Sequence, residues 1–458
     1  MPLHSTYEVR WKNFKGFKDT NWIKIKPITI LLGTNNSGKT SFVAPLLLMN
    51  QTLASRDSAS SIIVKGNIYD GGNIKELLND YDLNKDIFFG FRYHTHQPNK
   101  KDEKAKIGSF PPGAFEVTFG VNNATDREII IKKETVYDIF LRKFFEFNRK
   151  ANGSYSLTGL NFAKMEADEK VGIQQSSPLN FLFSPNSLLS AAMNANDKLD
   201  EKSKSKRISK DFSTLLNGVS HNFSMVNKIV GDLSYIGPIR ENPHRVYEIS
   251  NEANDTVGQR GENMPNLLKR HHKKLQKEIN EWVKKFGFGD SLEFKELYGN
   301  LYSIRFREKG SNMYTSIANA GFGASQILPL IMQALVSPEE SLTIAEQPEI
   351  HLNPRLQCVL ADLFAFMAKK GQRLIVETHS EHLILRLRRL IADKTLTADD
   401  VALYFVEKQN GESSIKEIKI EENGHIKPTE WPVGFFEDTI RESLALAAEQ
   451  SKTRKKKL

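Results

Sequence analysis

The sequence predicts an α/β fold built on a parallel sheet, and two patterns carry that prediction. Near the N-terminus, the apolar run 28–32 leads into a loop bounded by glycines, and an apolar helix is predicted to follow from Phe42. Between 317 and 405, helical patterns alternate with short apolar runs such as 341–345 and 373–376. Continuous apolar runs of this kind are typical of parallel strands covered on both faces. Because the loop and the later strands lie far apart in the chain, we expect one α/β core split by a long insertion.

The loop after the first apolar run fits the phosphate-loop pattern of a glycine, four residues and then Gly-Lys-Thr. Glycines let the backbone curl so that successive N–H groups point at phosphate oxygens, and the start of the following helix adds positive charge. In this pattern Lys39 reaches the β- and γ-phosphates, and Thr40 holds Mg²⁺ through its hydroxyl. We therefore predict a nucleoside triphosphate bound by one continuous set of residues: Gly33, Asn35, Asn36, Ser37, Gly38, Lys39, Thr40 and Ser41.

Composition narrows the class of protein. The chain has 458 residues, 39% of them hydrophobic, which suits one large domain with insertions or a few ordinary domains. Its single cysteine, Cys358, excludes disulfides within the chain, and no apolar run approaches the roughly 18 residues of a membrane span. The polar stretch 1–10 lacks the apolar core of a signal peptide. These features favour a cytoplasmic protein with no membrane contact.

The formal net charge is +9, and part of it lies in two lysine-rich runs at 202–210 and 452–457. Basic patches attract polyanions, so the charge permits a nucleic-acid partner. Short lysine runs are more often simply solvated, and both interpretations stay open at this point.

The pattern of elements divides the chain into four predicted parts. Residues 1–137 form the N-terminal part of the core and include a β-hairpin built from alternating apolar residues around 115–131. Residues 138–230 are predicted to be a largely helical insertion. Residues 231–405 form the C-terminal part of the core, and 406–458 form a small cap with a basic tail.

Polar residues follow two of the predicted parallel strands. Glu346 comes directly after the apolar run 342–345, where a phosphate-loop enzyme places its second Mg²⁺ partner, so Thr40 and Glu346 are the predicted metal ligands. His379 follows the next strand, and a histidine there can reach a γ-phosphate or its attacking water. A packed or capping histidine is the alternative. A second glycine-rich turn at 320–326 opens another predicted helix and offers a further anion site.

Together these motifs resemble one family. The order of phosphate loop, long insertion, Gly-x-Gly-x-Ser-Gln, acid-x-Pro-Glu and strand-end histidine is similar to the ABC-type AAA ATPases of the SMC and OLD group. The resemblance covers about residues 6–50 and 230–405. It implies an ABC-type P-loop ATPase head with a long β and helical insertion between the phosphate loop (Walker A) and the signature motif.

The resemblance also implies how the site works. ATP with Mg²⁺ is sandwiched in a head-to-tail dimer, or in a higher homo-oligomer. Lys39 and Thr40 act within one chain, whereas the signature residues Gly323, Ser325 and Gln326 belong to the partner's nucleotide. His379 corresponds to the switch histidine.

Two further segments, 235–241 and the Phe435-Phe436 region, are similar to ATPases of prokaryotic antiphage defence, with the ATPase subunits of the PARIS and Septu systems nearest. This implies a separate effector subunit, a nuclease in our interpretation, and a phage-derived trigger. The acids after His379 show no spacing typical of metal ligands, so we expect no nuclease within this chain.

The sequence departs from the family pattern at two places. Gln347 stands where the catalytic glutamate usually follows the Mg²⁺ acid, which predicts slow hydrolysis, since a glutamine can only orient the attacking water. Glu349, two residues further on, offers a carboxylate that could replace the missing one. The signature reads Gly-Phe-Gly-Ala-Ser-Gln rather than Leu-Ser-Gly-Gly-Gln, so the contact in trans falls at Ser325 or a near neighbour.

Three functions fit these features. The first is a switch ATPase that assembles on ATP and holds an effector until a trigger releases it. The second is an SMC-like DNA-processing or repair ATPase, which the basic runs allow, although the chain lacks long heptad arms. The third is an ATP-locked scaffold without hydrolysis, which Gln347 favours. We favour the first.

Overall fold

The computed structural model describes residues 6–57, 59–94, 111–122, 128–159, 165–197, 208–250 and 254–431. Its strands are β1 (Thr6–Phe14), β2 (Phe17–Asp19), β3 (Ile23–Ile25), β4 (Ile28–Leu32), β5 (Ile87–His94), β6 (Pro112–Asn122), β7 (Glu128–Asp138), β8 (Lys143–Arg149), β9 (Tyr155–Gly159), β10 (Leu233–Ile236), β11 (Tyr247–Glu248), β12 (Ser291–Tyr298), β13 (Leu301–Arg307), β14 (Tyr314–Ser316), β15 (Leu342–Glu346), β16 (Arg373–Glu377), β17 (Val401–Gln409) and β18 (Glu412–Ile418). Its helices are α1 (Lys39–Leu53), α2 (Ile74–Leu77), α3 (Ala167–Gln175), α4 (Pro185–Asp197), α5 (Lys210–Val226), α6 (Met264–Lys285), α7 (Phe322–Val336), α8 (Pro354–Lys369) and α9 (Glu381–Ala392).

A six-stranded sheet carries the phosphate loop, with the strand order β10-β15-β16-β4-β17-β18. The first five of these strands run parallel, and β18 returns antiparallel to β17. Every residue of β4, β15 and β16 is buried, as their continuous apolar runs predict. The carboxyl ends of the parallel strands meet at one edge of the sheet. The predicted α/β fold with a long insertion after the phosphate loop is confirmed.

Each face of this sheet packs into its own hydrophobic core, which explains why the strands are apolar on both faces. Leu31, Ile344 and Ile375 face a core shared with α1, the antiparallel sheet and helices α3 to α5. Ile30 and Val376 face the other core, which α6, α7, α8 and α9 cover. The sheet is therefore the middle layer of the molecule.

An antiparallel sheet lies on the α1 side, with the order β2-β1-β5-β6-β7-β8-β9 and β3 paired to β1. The predicted hairpin is confirmed, because β6 pairs antiparallel with β7. The pairing runs from Pro112 opposite Asp138 to Asn122 opposite Glu128. The turn that joins these two strands, at 123–127, lies outside the described residues. The sheet is rich in buried aromatic side chains, which suits strands that pack a half-buried pleated surface.

The prediction that 138–230 is largely helical is wrong for its first part. Residues 143–149 and 155–159 are the strands β8 and β9, and the predicted break at 151–153 is the turn of their hairpin. β8 also pairs with β7, so the antiparallel sheet continues past the predicted boundary at 138. Cross-strand pairing and the burial of Phe145 and Phe147 determine the structure here. Pairing between strands cannot be predicted from the local sequence pattern. Helices α3, α4 and α5 follow and pack into the same core.

Two helices begin earlier than predicted. Helix α1 begins at Lys39 rather than at Phe42, because Gly38 takes a left-handed φ of 112° at the N-cap and its carbonyl accepts the amide of Phe42 at 2.9 Å. Helix α7 begins at Phe322 rather than at 327, after Gly321 with φ of 83°. The glycine-rich turn therefore forms the first turn of α7.

The predicted cap from 406 is not separate from the core over its described part. β17 crosses the predicted boundary, and β18 forms the outer edge of the parallel sheet. Phe435, Phe436 and the basic tail 452–457 lie outside the described residues. None of the helices in the described ranges combines the length and hydropathy that a membrane crossing requires.

Candidate nucleotide-binding site

The phosphate loop connects β4 to α1 and is held against the β17–β18 hairpin. Gly33 and Gly38 have φ values of 144° and 112°, in the region that favours glycine. A Cβ atom on Gly38 would lie 2.7 Å from the Ser413 hydroxyl oxygen, so a side chain has no room there. The same Ser413 hydroxyl donates a hydrogen bond to the Ser37 carbonyl at 2.8 Å. The hairpin therefore sets the curvature of the loop.

Lys39 lies inside that curved loop. Its Nζ donates to the carbonyls of Gly33 at 2.9 Å and Thr34 at 2.8 Å, and the residue is 6% exposed. Burial lowers the pKa of Lys39, while the charges of Glu377 and Glu346 act in the opposite direction. The ammonium group is thus placed where the β- and γ-phosphates of a nucleotide would meet the loop.

Two carboxylates stand next to each other at the ends of neighbouring strands. Glu346 on β15 and Glu377 on β16 are register partners. Glu377 Oε2 accepts from the Thr40 hydroxyl at 3.2 Å, and Glu346 Oε1 accepts from the Tyr235 hydroxyl at 2.8 Å. Burial, together with the charge of Glu346, raises the pKa of Glu377 to about 8. Burial also raises the pKa of Glu346, against the Tyr235 hydrogen bond and the Lys39 charge.

These groups fit a hydrated Mg²⁺ ion. Thr40, Glu346 and Glu377 offer hard oxygen ligands of the kind that Mg²⁺ prefers. Glu377 Oε1 and Ser37 Oγ are buried without a hydrogen-bond partner among the described residues. Polar atoms left this way at the mouth of a phosphate loop suit a ligand that completes them. Thr40 contacts Glu377 directly, so this glutamate joins the two predicted metal ligands as a candidate.

The turn after β15 carries Gln347 and Glu349. Gln347 has a left-handed φ of 42°, and its backbone N–H donates to the backbone carbonyl of Glu377 at 2.8 Å. Glu349 is buried, and its Oε1 accepts the amide of His379 at 2.8 Å. Burial lowers the pKa of His379, and the nearby charge of Lys39 lowers it further, so both effects favour the neutral imidazole. The turn therefore joins the strand-end acids to the predicted switch histidine.

The signature residues Gly323, Ser325 and Gln326 lie near the N-terminus of α7. Ser325 and Gln326 are buried, and the Ser325 hydroxyl donates back to the Phe322 carbonyl at 2.8 Å. Gly323 is half-buried, and Phe322 is 56% exposed. No hydrogen bond within the described part of the chain joins 321–326 to the phosphate loop. The assignment of Ser325 and Gln326 to a partner's nucleotide stays a prediction.

The remaining loop residues border open space. Asn35 and Asn36 are exposed at the tip of the phosphate loop, and Asn36 has a left-handed φ of 60°. Ser41, in the first turn of α1, lines a cavity of about 780 Å³ bordered by the β1–β2 turn, the segment 76–81 and the β17–β18 turn. Four lysines contribute to its lining: Lys15, Lys18, Lys85 and Lys408. Glu76, Asp80 and Glu412 share the lining, and Lys85 pairs with Asp80 at 2.8 Å, so the cavity carries charges of both signs.

Sequence reasoning missed several residues of this edge. Glu377 ends β16 as Glu346 ends β15, so the rule that identified one glutamate also identifies the other. Tyr235 and Arg240 belong to segment 235–241, which the sequence linked to function only through its resemblance to defence ATPases. Both residues contact Glu346. Ser413 carried no signal, because its role depends on a hairpin that packs against the loop from far along the chain.

A family model described as AAA ATPase domain matches residues 7–384, and a second, described as a protein of unknown function (DUF3696), matches residues 396–446. No curated protein matches the chain. The first match spans most of the sequence and includes the phosphate loop, Glu346 and His379. The chain belongs to the AAA ATPase domain family. Its architecture is an α/β fold in which a mostly parallel sheet carries the phosphate loop and a long β and helical insertion follows that loop.

Three solved structures of SMC heads are similar to this chain. The SMC head domain from Thermotoga maritima has 13% identity and a TM-score of 0.37, covering 92% of this chain and 100% of its own. The SMC head bound to the C-winged helix domain of ScpA has 12% identity and a TM-score of 0.40, covering 91% and 98%. The Smc head with an extended coiled coil bound to the C-terminal domain of ScpA derived from Pyrococcus furiosus has 13% identity and a TM-score of 0.38, covering 91% and 96%.

Proposed function

We propose that this protein is a switch ATPase of an antiphage defence system. It binds ATP with Mg²⁺, assembles through nucleotide sites shared between chains, hydrolyses ATP slowly and controls a separate effector, a nuclease in our proposal. The observation that carries the nucleotide part is the convergence of Lys39, Thr40, Glu346 and Glu377 at the carboxyl edge of the parallel sheet. The defence part is supported by the resemblance of segment 235–241 to ATPases of such systems.

The chain's own residues divide the chemical work. Lys39 and the loop amides bind the phosphates and neutralise charge that develops on them. Thr40, Glu346 and Glu377 would hold Mg²⁺, which when bound would supply positive charge against the phosphates. Gln347 orients the attacking water, as a glutamine does in Ras-type GTPases, without removing its proton. Because this chain has no glutamate at that position, we expect a turnover well below the roughly 1–100 s⁻¹ of kinases.

Assembly is supported by the surface at the start of α7. Phe322 is 56% exposed and Gly323 is half-buried, while the Phe322 carbonyl accepts the hydrogen bond of the buried Ser325 hydroxyl. An exposed aromatic ring beside a glycine and a helix N-terminus suits a surface that meets another chain and a phosphate group. In the proposed head-to-tail arrangement this surface closes over the nucleotide held by the partner's Walker A loop.

The test measures solution mass by light scattering with and without ATP and Mg²⁺, together with phosphate release. We expect ATP to produce or stabilise a larger assembly at slow turnover. The Glu346→Ala variant should keep part of its ATP binding and lose hydrolysis, because the metal loses a ligand. A monomer with brisk turnover in every nucleotide state would refute the shared site. An obligate complex with the product of a neighbouring gene would identify the effector.

One observation favours the DNA-processing alternative. Helix α6 exposes lysines along one side, a geometry that can follow a phosphate backbone: Lys273, Lys274, Lys277, Lys284 and Lys285. Binding of plain duplex DNA that weakens steeply with salt would support this alternative over the switch. ATP-dependent assembly with no hydrolysis above background would instead support the scaffold.

A further inference from the structure

Arg240 is a buried arginine at the nucleotide edge that the ATPase pattern does not explain. It follows β10 in a segment whose backbone is fixed at both ends. The Gly237 amide donates to the Gln259 carbonyl at 2.9 Å, and the Glu241 amide donates to the Arg260 carbonyl at 2.8 Å. Between these two bonds, the Arg240 side chain is 4% exposed, and its Nη2 donates to the Glu346 carbonyl at 3.2 Å.

The remaining hydrogen-bonding capacity of Arg240 is unused. Its Nε and Nη1 are buried and have no partner among the described residues. Glu349 Oε2 is also buried and has no hydrogen-bond partner among the described residues. Burial lowers the pKa of Arg240 to about 10, and the charge of Glu349 partly opposes this shift. A buried guanidinium and a buried carboxylate are each costly alone, and a direct ion pair with full hydrogen bonding offsets that cost.

Glu349 lies in a turn that contacts both His379 and the start of α7. Its other oxygen, Oε1, already holds the His379 amide. The turn that carries Glu349 has left-handed residues on both sides, Gln347 with φ of 42° and His351 with φ of 63°. The His351 ring lies 5.6 Å from the exposed Phe322 ring at the start of α7. The turn therefore bridges the histidine side of the nucleotide and the surface proposed to meet a partner.

We infer that Arg240 is a positioning residue that pairs with Glu349 and so fixes the turn 346–351 between His379 and Phe322 when ATP binds. A small shift of the turn brings the free Oε2 of Glu349 to the free N–H groups of Arg240. The completed pair holds Gln347 and His379 at the γ-phosphate and presents Phe322 to the neighbouring chain. This inference rests on the proposed function, because the turn acts on ATP hydrolysis and assembly.

The experiment is a double-mutant cycle with Arg240→Met, Glu349→Gln and the combined variant, each assayed for kcat, KM and ATP-dependent mass. Because a misplaced catalytic group can cost on the order of 10²-fold in rate, we expect each single variant to lower kcat by at least ~10-fold, with KM changed less than ~3-fold. The combined variant should be no slower than the slower single variant, since both remove the same pair. Arg240→Lys should recover part of kcat by restoring the charge.

The matched control is Arg260→Met, which removes an exposed arginine whose backbone alone contacts this segment. It should leave kcat and KM unchanged. Wild-type protein that neither binds nor hydrolyses ATP would overturn the proposed function itself. A wild type that hydrolyses ATP, combined with an Arg240→Met variant of unchanged kcat, would overturn only the role of Arg240. Fully additive losses in the cycle would also overturn the role of Arg240. If Arg240→Met does not fold, Glu349→Gln and Arg240→Lys test that role by the same criteria.

Discussion

The carboxyl edge of the parallel sheet and the aromatic core of the antiparallel sheet differ in the kind of group that each buries. In the core, Trp11 packs edge-on against Phe89 and Phe91, and its ring N–H donates to the Phe42 carbonyl at 2.9 Å. At the edge, buried polar atoms of several residues lack partners among the described residues: Ser37, Arg240, Glu349, Glu377 and His379. The hydroxyls of Tyr7 and Tyr93 also lack partners in the described part of the core, but the unpartnered groups at the edge include charged side chains, which are the costlier to bury alone. A core of packed aromatic rings serves stability, whereas buried charged groups beside a phosphate loop suit a ligand.

This contrast predicts that substitutions in the two regions fail in different ways. Changes in the antiparallel core should lower the free energy of unfolding and spare ATP affinity. Changes at the edge should lower ATP affinity or turnover and spare stability. The four predictions that follow test this separation, from the largest expected effect to the smallest.

Phe147→Ala should cause the largest loss of stability. Phe147 is fully buried, stacks on Phe183 with ring centroids 3.8 Å apart and also contacts Phe145. Removing a buried phenyl group leaves a cavity, so we expect the free energy of unfolding to fall by about 3–5 kcal/mol. Urea denaturation measures it. Leu141→Ala, at an exposed leucine, is the control and should change stability by less than about 0.5 kcal/mol. Equal effects of the two substitutions would contradict the packing described here.

Lys39→Ala should weaken ATP binding by on the order of 100-fold, because charge-assisted hydrogen bonds to phosphate contribute about 1.5–3 kcal/mol. Isothermal titration calorimetry with ATP and Mg²⁺ measures the Kd. The unfolding free energy should stay near that of wild type, since the buried ammonium group is itself costly. Lys65→Ala removes an exposed lysine paired with Asp70 at 3.6 Å and serves as the control. A Lys39→Ala variant with wild-type affinity, or one that retained activity in cells, would refute the switch mechanism.

Glu134 should make the antiparallel sheet sensitive to pH. Burial raises its pKa from the ordinary 4.5 to about 8, while its Oε2 accepts the Phe183 amide at 3.0 Å. The folded protein therefore holds a proton that the unfolded chain releases, and stability falls as pH rises from about 4.5 to 8. The slope is at most about 1.4 kcal/mol per pH unit. Denaturation at pH 6 and pH 7 should show this loss in wild type. Because Glu377 also has a pKa raised to about 8, Glu134→Gln should reduce this loss rather than abolish it. Glu128→Gln, at an exposed glutamate on the same strand, should leave it unchanged.

Gln347→Glu should have the smallest effect, a rise in phosphate release of a few fold. A glutamate at this position can accept the proton of attacking water, but hydrolysis depends more on positioning than on base strength. Phosphate release under saturating ATP measures it. An unchanged rate would mean that another group positions the water, and Glu349 would then be the first candidate, tested by Glu349→Gln.

The parts of the fold that the sequence predicts are those whose signal is local. The strands β4, β15 and β16 are recognisable because each is a continuous apolar run, and the phosphate loop because its spacing is nearly unique. The segment of β8 and β9 is predicted to be helical, which is wrong, because its strands depend on pairing with β7 and on a shared core. Helix starts were placed late because the caps are glycines in left-handed conformations.

The candidate site shows the same division. Lys39, Thr40 and Glu346 follow from motif and position, and the structure brings them to one edge with His379. Contacts across long sequence distances are invisible to such reasoning. Ser413 supports the phosphate loop, and Arg240 contacts Glu346 from the segment after β10, more than a hundred positions earlier. Pairings of this kind emerge only from the packed structure.

The measurement that tests the account most directly is equilibrium binding of ATP to the wild-type protein with Mg²⁺ and with EDTA. The account predicts saturable binding of one ATP per chain that is markedly tighter with Mg²⁺, because Thr40, Glu346 and Glu377 hold the ion against the phosphates. No saturable binding, or binding of equal strength in EDTA, would contradict the assignment of this edge as an ATP and Mg²⁺ site.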